Sequence, residues 1–451
     1  MKKALAMTLG ALLLAGSAAP AFAASQVDFS GHYRAIFGNE WNNNFNSGDA
    51  KDNDSAFQNR LRLNFTFQPT EEIAVHWRLH APDGQRWGTG AAQTGAETAY
   101  VFGEIKQDWG TIVIGRLSDD YTYYGLGMMG HNWGGVDDTY TDWGIFDIAG
   151  EADGITYLNR WDNGFQLVAQ FLRAANGPGA INTNWQTNDY FILQPSFHWD
   201  DGGASLGLIY NRDHVRDITD RTEADRPALK AFFLNPAVTH SFGDFTFNFE
   251  AMFGWGKDDG ALPGTPDKND GYGFYLDGDY NYGPGNVMLA GWWVSGSKAN
   301  SDKGKHLVDM GEGFYPLMVA YGPGPFTGDA NAIEVANSGT PSGEARNNKA
   351  NHWGLALAGS HNFTDDFALK YTLGHLWLNT VGGSGKGKSI GTEIDLGIAV
   401  QLLDNLEFRS TAGILFAGNG LRHLDLQAQP PLLSDKSKNA YNWYNTLYFS
   451  F

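Results

Sequence analysis

Apolar and polar side chains alternate with a period of two residues through most of this chain. In the first such segment Val27, Phe29, Tyr33, Ala35 and Phe37 share one parity, while Asp28, Ser30, His32 and Arg34 share the other. Next, Phe57, Leu61, Leu63, Phe65 and Phe67 oppose Gln58, Arg60, Arg62, Asn64 and Thr66, and Ile73, Val75, Trp77 and Leu79 oppose His76, Arg78 and His80. Successive Cβ atoms of a strand point to opposite faces. Each segment therefore predicts a strand with one face in an apolar medium and the other in water or a polar interior. The pattern returns at Phe245, Phe247, Phe249, Phe253 and Trp255 against Thr246, Asn248 and Glu250, and at Phe367, Leu369, Tyr371, Leu373 and Trp377 against Lys370. Ile390, Ile394, Leu396, Ile398 and Val400 oppose Glu393 and Asp395; Leu406, Phe408, Ile414 and Phe416 oppose Glu407 and Arg409; Tyr441, Trp443, Leu447, Phe449 and Phe451 form a closing strand.

The connections alternate as well. Short ones recur at 69–72, 106–110, 162–164, 200–203, 241–244, 283–285, 364–366 and 403–405, with long polar ones between them. Short turns at one end and long loops at the other predict an outer-membrane barrel with the short turns in the periplasm. Counting pairs gives about 18 strands, with 16 possible. The segment 314–321 reads either as an extra strand or as a loop packed over the mouth. An Arg facing lipid near the bilayer midplane costs about 2–4 kcal/mol, and Arg34, Arg60, Arg62 and Arg78 all avoid the apolar parity. The expected fold is thus all-β: a transmembrane antiparallel β-barrel, lipid outside and water inside. A soluble propeller would also alternate, but its blades would repeat about every 40 residues, and no such repeat is present.

The N-terminus sharpens this picture. Met1-Lys2-Lys3, an apolar run over 4–15 and Ala21-Phe22-Ala23 read as a signal peptide, residues 1–23, cleaved after Ala23. Residues 24–451 remain as one barrel domain. There is no Cys, hence no lipid-anchored N-terminus and no disulfide. After residue 23 no apolar run reaches the roughly 20 residues of a membrane helix. The 58 Gly, 29 Phe, 19 Tyr and 15 Trp suit strands and interfacial belts. A formal charge of −19, or −21 once Lys2 and Lys3 are removed, argues against nucleic acid as a partner.

Between Arg116 and the strand at 155–161 lie about forty residues rich in Gly, Asp, Tyr and Trp. A connection that long inside a compact domain is usually functional, and this one, about 117–154, is expected to fold back into the barrel. Ala99-Tyr100-Val101, then Trp109-Gly110-Thr111-Ile112-Val113-Ile114-Gly115-Arg116, the long loop, and Gly154-Ile155-Thr156-Tyr157 before Phe165-Gln166-Leu167-Val168-Ala169-Gln170-Phe171 together resemble the general bacterial porins. The resemblance is closer to the homotrimeric outer-membrane porins of sulfate-reducing bacteria and extends over most of the chain. It implies a trimer of water-filled barrels in the outer membrane, each narrowed by its third long loop. On that pattern Arg116 belongs to a basic cluster on the inner wall, and Arg60 or Arg62, and Arg160, resemble its other members. The chain departs from the general porins in having about 18 strands where they have 16, and in lacking their Pro-Glu-Phe-Gly loop sequence.

Arginine stays protonated at any relevant pH, so a wall carrying Arg34, Arg60, Arg62, Arg78, Arg116 and Arg160 is permanently positive. Like charges about 4 Å apart repel by roughly 1 kcal/mol even in bulk water. The loop offers counter-charge in Asp119, Asp120, Asp137, Asp138, Asp142, Asp147, Glu151 and Asp153. If some of these face the arginines, a transverse field crosses the narrowest section and filters solutes by size and polarity. The expected activity is passive diffusion of small hydrophilic solutes and ions. Each inward Arg could instead be held in a wall ion pair, for example with Asp28, Glu104 or Glu250, and His32, His76 and His80 read as lumen hydrogen-bonding groups. The alternative function is a substrate-selective channel whose binding track is Tyr121, Tyr123, Tyr124, Trp133, Tyr140 and Trp143. No nucleophile motif marks a catalytic residue, and no cofactor is implied. The acidic stretch 267–271 reads as a loop without EF-hand spacing, so no metal is expected.

Overall fold

Each long alternating segment forms a strand, because a strand with one apolar face can bury its backbone hydrogen bonds in lipid only by pairing on both edges. A computed structural model describes residues 26–42, 53–80, 85–86, 96–118, 152–174, 188–213, 229–258, 268–297, 304–305, 307–308, 310, 316–321, 350–381, 387–421 and 438–451. The strands are β1 (Gln26–Trp41), β2 (Asn53–Thr70), β3 (Ile73–His80), β4 (Gln85–Arg86), β5 (Glu97–Gln107), β6 (Gly110–Leu117), β7 (Ala152–Arg160), β8 (Phe165–Ala174), β9 (Asn188–Trp199) and β10 (Gly202–Asp213). They continue as β11 (Leu229–Phe242), β12 (Phe245–Asp258), β13 (Lys268–Asn281), β14 (Gly285–Val294), β15 (His352–Thr364), β16 (Phe367–Leu378), β17 (Ser389–Leu403), β18 (Leu406–Ala417) and β19 (Ala440–Ser450). Neighbours in sequence pair antiparallel, and β1 pairs with both β2 and β19, which closes the ring. The two-residue β4 pairs with β2 beyond the end of β3, so β3 and β4 form one stave and the barrel has 18.

The apolar parity faces outward. Phe29, Phe232, Leu289 and Leu396 are all more than 40 % exposed, as lipid-facing side chains must be. Trp161, Trp199, Phe242 and Tyr280 ring the short-turn end, and Tyr210, Phe232, Trp255 and Trp293 ring the long-loop end. Phe232 and Phe242 share the outer face of β11, and ten residues at about 3.3 Å, tilted about 40°, give a band of roughly 25 Å. That matches the apolar belt of an outer-membrane barrel.

Three expectations change in detail. Ile390 is fully buried rather than lipid-facing, because a bulge pairs Leu376 with Gly391 and Trp377 with Ser389, which shifts the parity at that end of β17. Residues 268–271 of the acidic stretch begin β13 rather than forming a loop. Within 314–321, expected as either an extra strand or a loop packed over the mouth, Met318–Tyr321 is a helical turn, here α1, and not a strand.

Candidate functional site

The inner parity of β1, β2 and β3 carries the arginines at mid-strand. Arg34 lies directly opposite Arg60, His32 opposite Arg62, Arg62 opposite His80, and Asn64 opposite Arg78. Directly opposed residues point to the same face, so Arg34, Arg60, Arg62 and Arg78 form one contiguous basic patch with His32 and His80. Aromatic faces complete it. The Arg78 guanidinium sits 4.7 Å from the centre of the Tyr100 ring while its Nε donates to Asn64 Oδ1 at 2.7 Å. His32 stacks on Tyr448 at 5.5 Å, and Tyr448 is the β19 partner of Arg34. Below the patch, His76 lies 3.3 Å from Glu104, which also pairs with Lys106 at 3.4 Å.

Two of the six predicted arginines stand apart. Arg116 is paired with Val101 and shares a face with Ile114; both of those are more than 40 % exposed, so Arg116 belongs to the outer face, where its Nε donates to the Ala99 carbonyl at 2.8 Å. Arg160 does share the inner parity of the fully buried Thr156, but it ends β7 beside the short turn. The β7 partner of Arg116 is Asp153, so Arg160 lies seven residues, about 23 Å, farther down the wall. The acids Asp119, Asp120, Asp137, Asp138, Asp142, Asp147 and Glu151, the aromatic residues of the alternative binding track, and residues 1–23 all lie outside the described residues. Asp153 is on the outer face with Arg116.

Half the ring away from β2 stands β12. Its inner parity, with that of β11 and β13, carries acids woven into amides. Asn235 Nδ2 donates to Glu250 Oε1 at 3.0 Å, Asn248 Nδ2 to Asp277 Oδ1 at 2.8 Å, and Asn286 Nδ2, from β14, to Asp279 Oδ1 at 3.1 Å. The lumen thus has an arginine wall and a facing wall of carboxyls and amides.

Between these walls residues 316–321, the longest described part of the connection from β14 to β15 apart from its ends, pack against the inner face of the barrel. Leu317, Val319, Ala320 and Tyr321 are buried. The amides of Val319 and Ala320 donate to Glu393 Oε1 and Oε2 at 2.5 and 2.9 Å, and that of Met318 to Asp395 Oδ2 at 3.3 Å. These are N–H groups that a helical turn cannot satisfy internally. Two wall glycines leave room for it: a Cβ at Gly374 would lie 2.7 Å from Leu317 Cδ2, and one at Gly413 2.8 Å from Met318 Cε. Met318 also packs on Ile36 and Tyr444, and the Tyr444 hydroxyl donates to Glu40 Oε1 at 2.6 Å. Ile36 is the next inward residue after Arg34 on β1, so the inserted turn reaches the arginine patch.

Sequence patterning missed the aromatic members Tyr100 and Tyr448; it put Glu393 and Asp395 on the polar face but did not show that they anchor the inserted turn. Tyr448 was readable, since its parity is opposite to that of Trp443 and Leu447.

The sequence profile described as Gram-negative porin matches residues 8–380. A comparison with curated proteins finds no match. Among solved structures, OccK9 (OpdG) of Pseudomonas aeruginosa superposes with a TM-score of 0.55 at 12 % identity, covering 94 % of this chain and 98 % of its own. OpdK of the same organism gives 0.55 at 12 % with the same coverage, and its structure with vanillate 0.53 at 11 %. OccK11 (OpdR), also from that organism, gives 0.53 at 10 %, covering 94 % of this chain and 96 % of its own. At these identities the likeness is one of fold.

Proposed function

The chain belongs to the Gram-negative porin family, and from that premise we propose that this outer-membrane channel passes small hydrophilic solutes and ions by passive diffusion, filtered by Arg34, Arg60, Arg62 and Arg78. The observation that carries the reading is the contiguity of these four guanidinium groups on one inner wall at mid-strand, facing the carboxyls of β12 and β13. Such a pair of walls orients water across the lumen. A polar solute replaces the interactions of the water it displaces, whereas an apolar one does not, and no bond is made or broken. The loop 117–154 and the acids Asp119, Asp120, Asp137, Asp138, Asp142 and Asp147 belong to the same reading as the other side of the constriction. So does a homotrimer, which rests on the resemblance to trimeric porins. Cleavage after Ala23 is expected too, and N-terminal sequencing of the mature protein should begin at Ala24.

The test is single-channel conductance in a planar bilayer with the reversal potential read under a salt gradient. Replacing all four arginines by glutamine should move selectivity toward cations by several-fold while large ohmic steps persist. An unchanged reversal potential would overturn the filter. Steps in groups of three support the trimer.

A second reading has its own observation. Tyr100 under Arg78 and Tyr448 on His32 place aromatic faces beside guanidinium groups, an arrangement that suits a planar carboxylate. OpdK has been solved with vanillate, an aromatic acid of that kind. Saturable block of conductance by vanillate, lost in Arg78→Gln, would favour a selective channel for aromatic anions.

A further inference from the structure

On the inner face of the closure seam one row of paired residues runs from β17 to β1. Asp395 is opposite Gly413, Gly413 opposite Asn442, and Asn442 opposite Glu40. Directly opposed residues point to one face. The three side chains of this row are almost fully buried: Asp395 and Asn442 are each 1 % exposed and Glu40 2 %. The row lies near the long-loop end, where β1 finishes at Trp41 and β19 starts at Ala440.

The two carboxyls lean toward Asn442 from opposite sides. A Cβ at Gly413 would run into Asp395 Oδ1, so that oxygen overhangs β18 on the side of Asn442. Glu40 Oε1 accepts from the hydroxyl of Tyr444, the next inner residue of β19, at 2.6 Å. Between them, Asn442 has no hydrogen-bond partner for Oδ1 or for Nδ2 among the described residues. The turn α1 covers the row: Met318 Cε would lie 2.8 Å, and Val319 Cγ2 3.1 Å, from that same Cβ at Gly413. Lys370 belongs to another inner row, opposite Gly397, and its charge acts on Glu407 toward the short-turn end.

We propose that Asp395, Asn442 and Glu40 form a calcium site that clamps α1 and the β19–β1 seam together. A buried amide that bonds through neither of its polar atoms is costly, and buried carboxylates are kept by pairing or by coordinating a metal. The donors are all hard oxygens, and two carboxylates match the charge of a divalent ion. Opposed Cβ atoms stand about 5 Å apart, and Asp395 Oδ1 takes nearly the place of the missing Gly413 Cβ. An ion with bonds of about 2.3–2.6 Å bridges a gap of that order, whereas Mg2+, at about 2.0–2.1 Å and strictly octahedral, does not. Water completes the shell of about six to eight oxygens, and one such water accepts from Asn442 Nδ2. The inference is independent of how the lumen filters.

The test is equilibrium unfolding of the full chain by urea in lipid vesicles, with the folded fraction read by heat-modifiable migration on a gel, in Ca2+ and in EDTA. At about 10 mM Ca2+ and a Kd of about 10⁻³ M, the range of weak extracellular sites, the wild-type unfolding constant should fall about tenfold. Asn442→Leu keeps the volume but removes both polar atoms, and it should lose this calcium effect. Glu40→Gln should reduce the effect to about twofold, through binding weakened by about tenfold. Asn442→Asp keeps an oxygen donor at the site and should retain the full effect. A wild-type barrel indifferent to Ca2+, or equal calcium stabilisation in Asn442→Leu, overturns the proposal. An equal effect of Mg2+ overturns it in favour of general screening of the acidic chain. Should Asn442→Leu fail to fold, Glu40→Gln carries the same comparison, and an undiminished calcium effect in it also overturns the site.

Discussion

Tyr321 sits at the inner end of a short relay. Trp292 Nε1 donates to the Tyr321 hydroxyl oxygen at 2.5 Å, that hydroxyl lies 2.5 Å from His352 Nε2, and His352 Nδ1 lies 3.2 Å from the Ala350 carbonyl. Indole is a donor only and a carbonyl an acceptor only, so the set is satisfied when the phenol donates to Nε2 and His352 carries its proton on Nδ1. Burial holds the Tyr321 phenol well above its usual range, which keeps the hydroxyl proton in place. Tyr321→Phe should therefore cost about 1–3 kcal/mol for each buried group that loses this hydroxyl. The check is amide hydrogen exchange, with faster exchange expected at Val319, Ala320 and Tyr321 and little change in β5 to β9. The relay was not legible in the sequence, because its members are distant along the chain and only the inserted turn brings them together. Arg116 teaches the reverse. Its parity with Ile112 and Ile114 was plain in the sequence, but its place beside the long loop outweighed a two-residue rule that proved the better guide to its face.

At the scale of elements, the strands were legible because lipid and water impose a contrast with only two values, and a pleated strand reports it residue by residue. Departures came where backbone geometry breaks the period, as at the bulge beside Ile390, or where no period exists. The stretch 316–321 is Pro-Leu-Met-Val-Ala-Tyr, apolar at nearly every position, so patterning could not separate strand from helix. What decides it is the wall: Glu393 and Asp395 offer carboxyl oxygens to the free amides of a helical turn, and Gly374 and Gly413 supply the space. Gly374→Val should push Leu317 out of its seat at an overpacking cost of about 1–3 kcal/mol. The barrel should persist, judged by heat-modifiable migration on a gel, while conductance changes and its noise rises as α1 leaves the wall. A variant with wild-type conductance and noise would mean that α1 does not narrow the lumen.

For the whole molecule, the 18-stave ring determines which walls face each other, and this could not be read from the chain. Arg60 and Glu250 are far apart in sequence, and only closure sets β2 and β12 across a lumen. Closure itself joins β1 to β19, where Trp41 meets Tyr441 and Gly31 exchanges backbone bonds with Phe451. Every other stave lies beside a neighbour in sequence, so hairpins can form early and locally, whereas the seam must bring together segments some four hundred residues apart. Long-range pairing of this kind is slow. Until it forms, β1 and β19 are two unpaired edges, each able to accept a strand from another chain. Gly38 lies on that seam, and a Cβ there would run into the Trp443 carbonyl oxygen. Gly38→Val should leave hairpin formation intact yet slow the final folding phase in vesicles and increase aggregation, measured by time-resolved gel shift. The time this protein spends as an open, adhesive sheet is thus governed by one joint, and that joint is where assembly and aggregation compete for the same two edges.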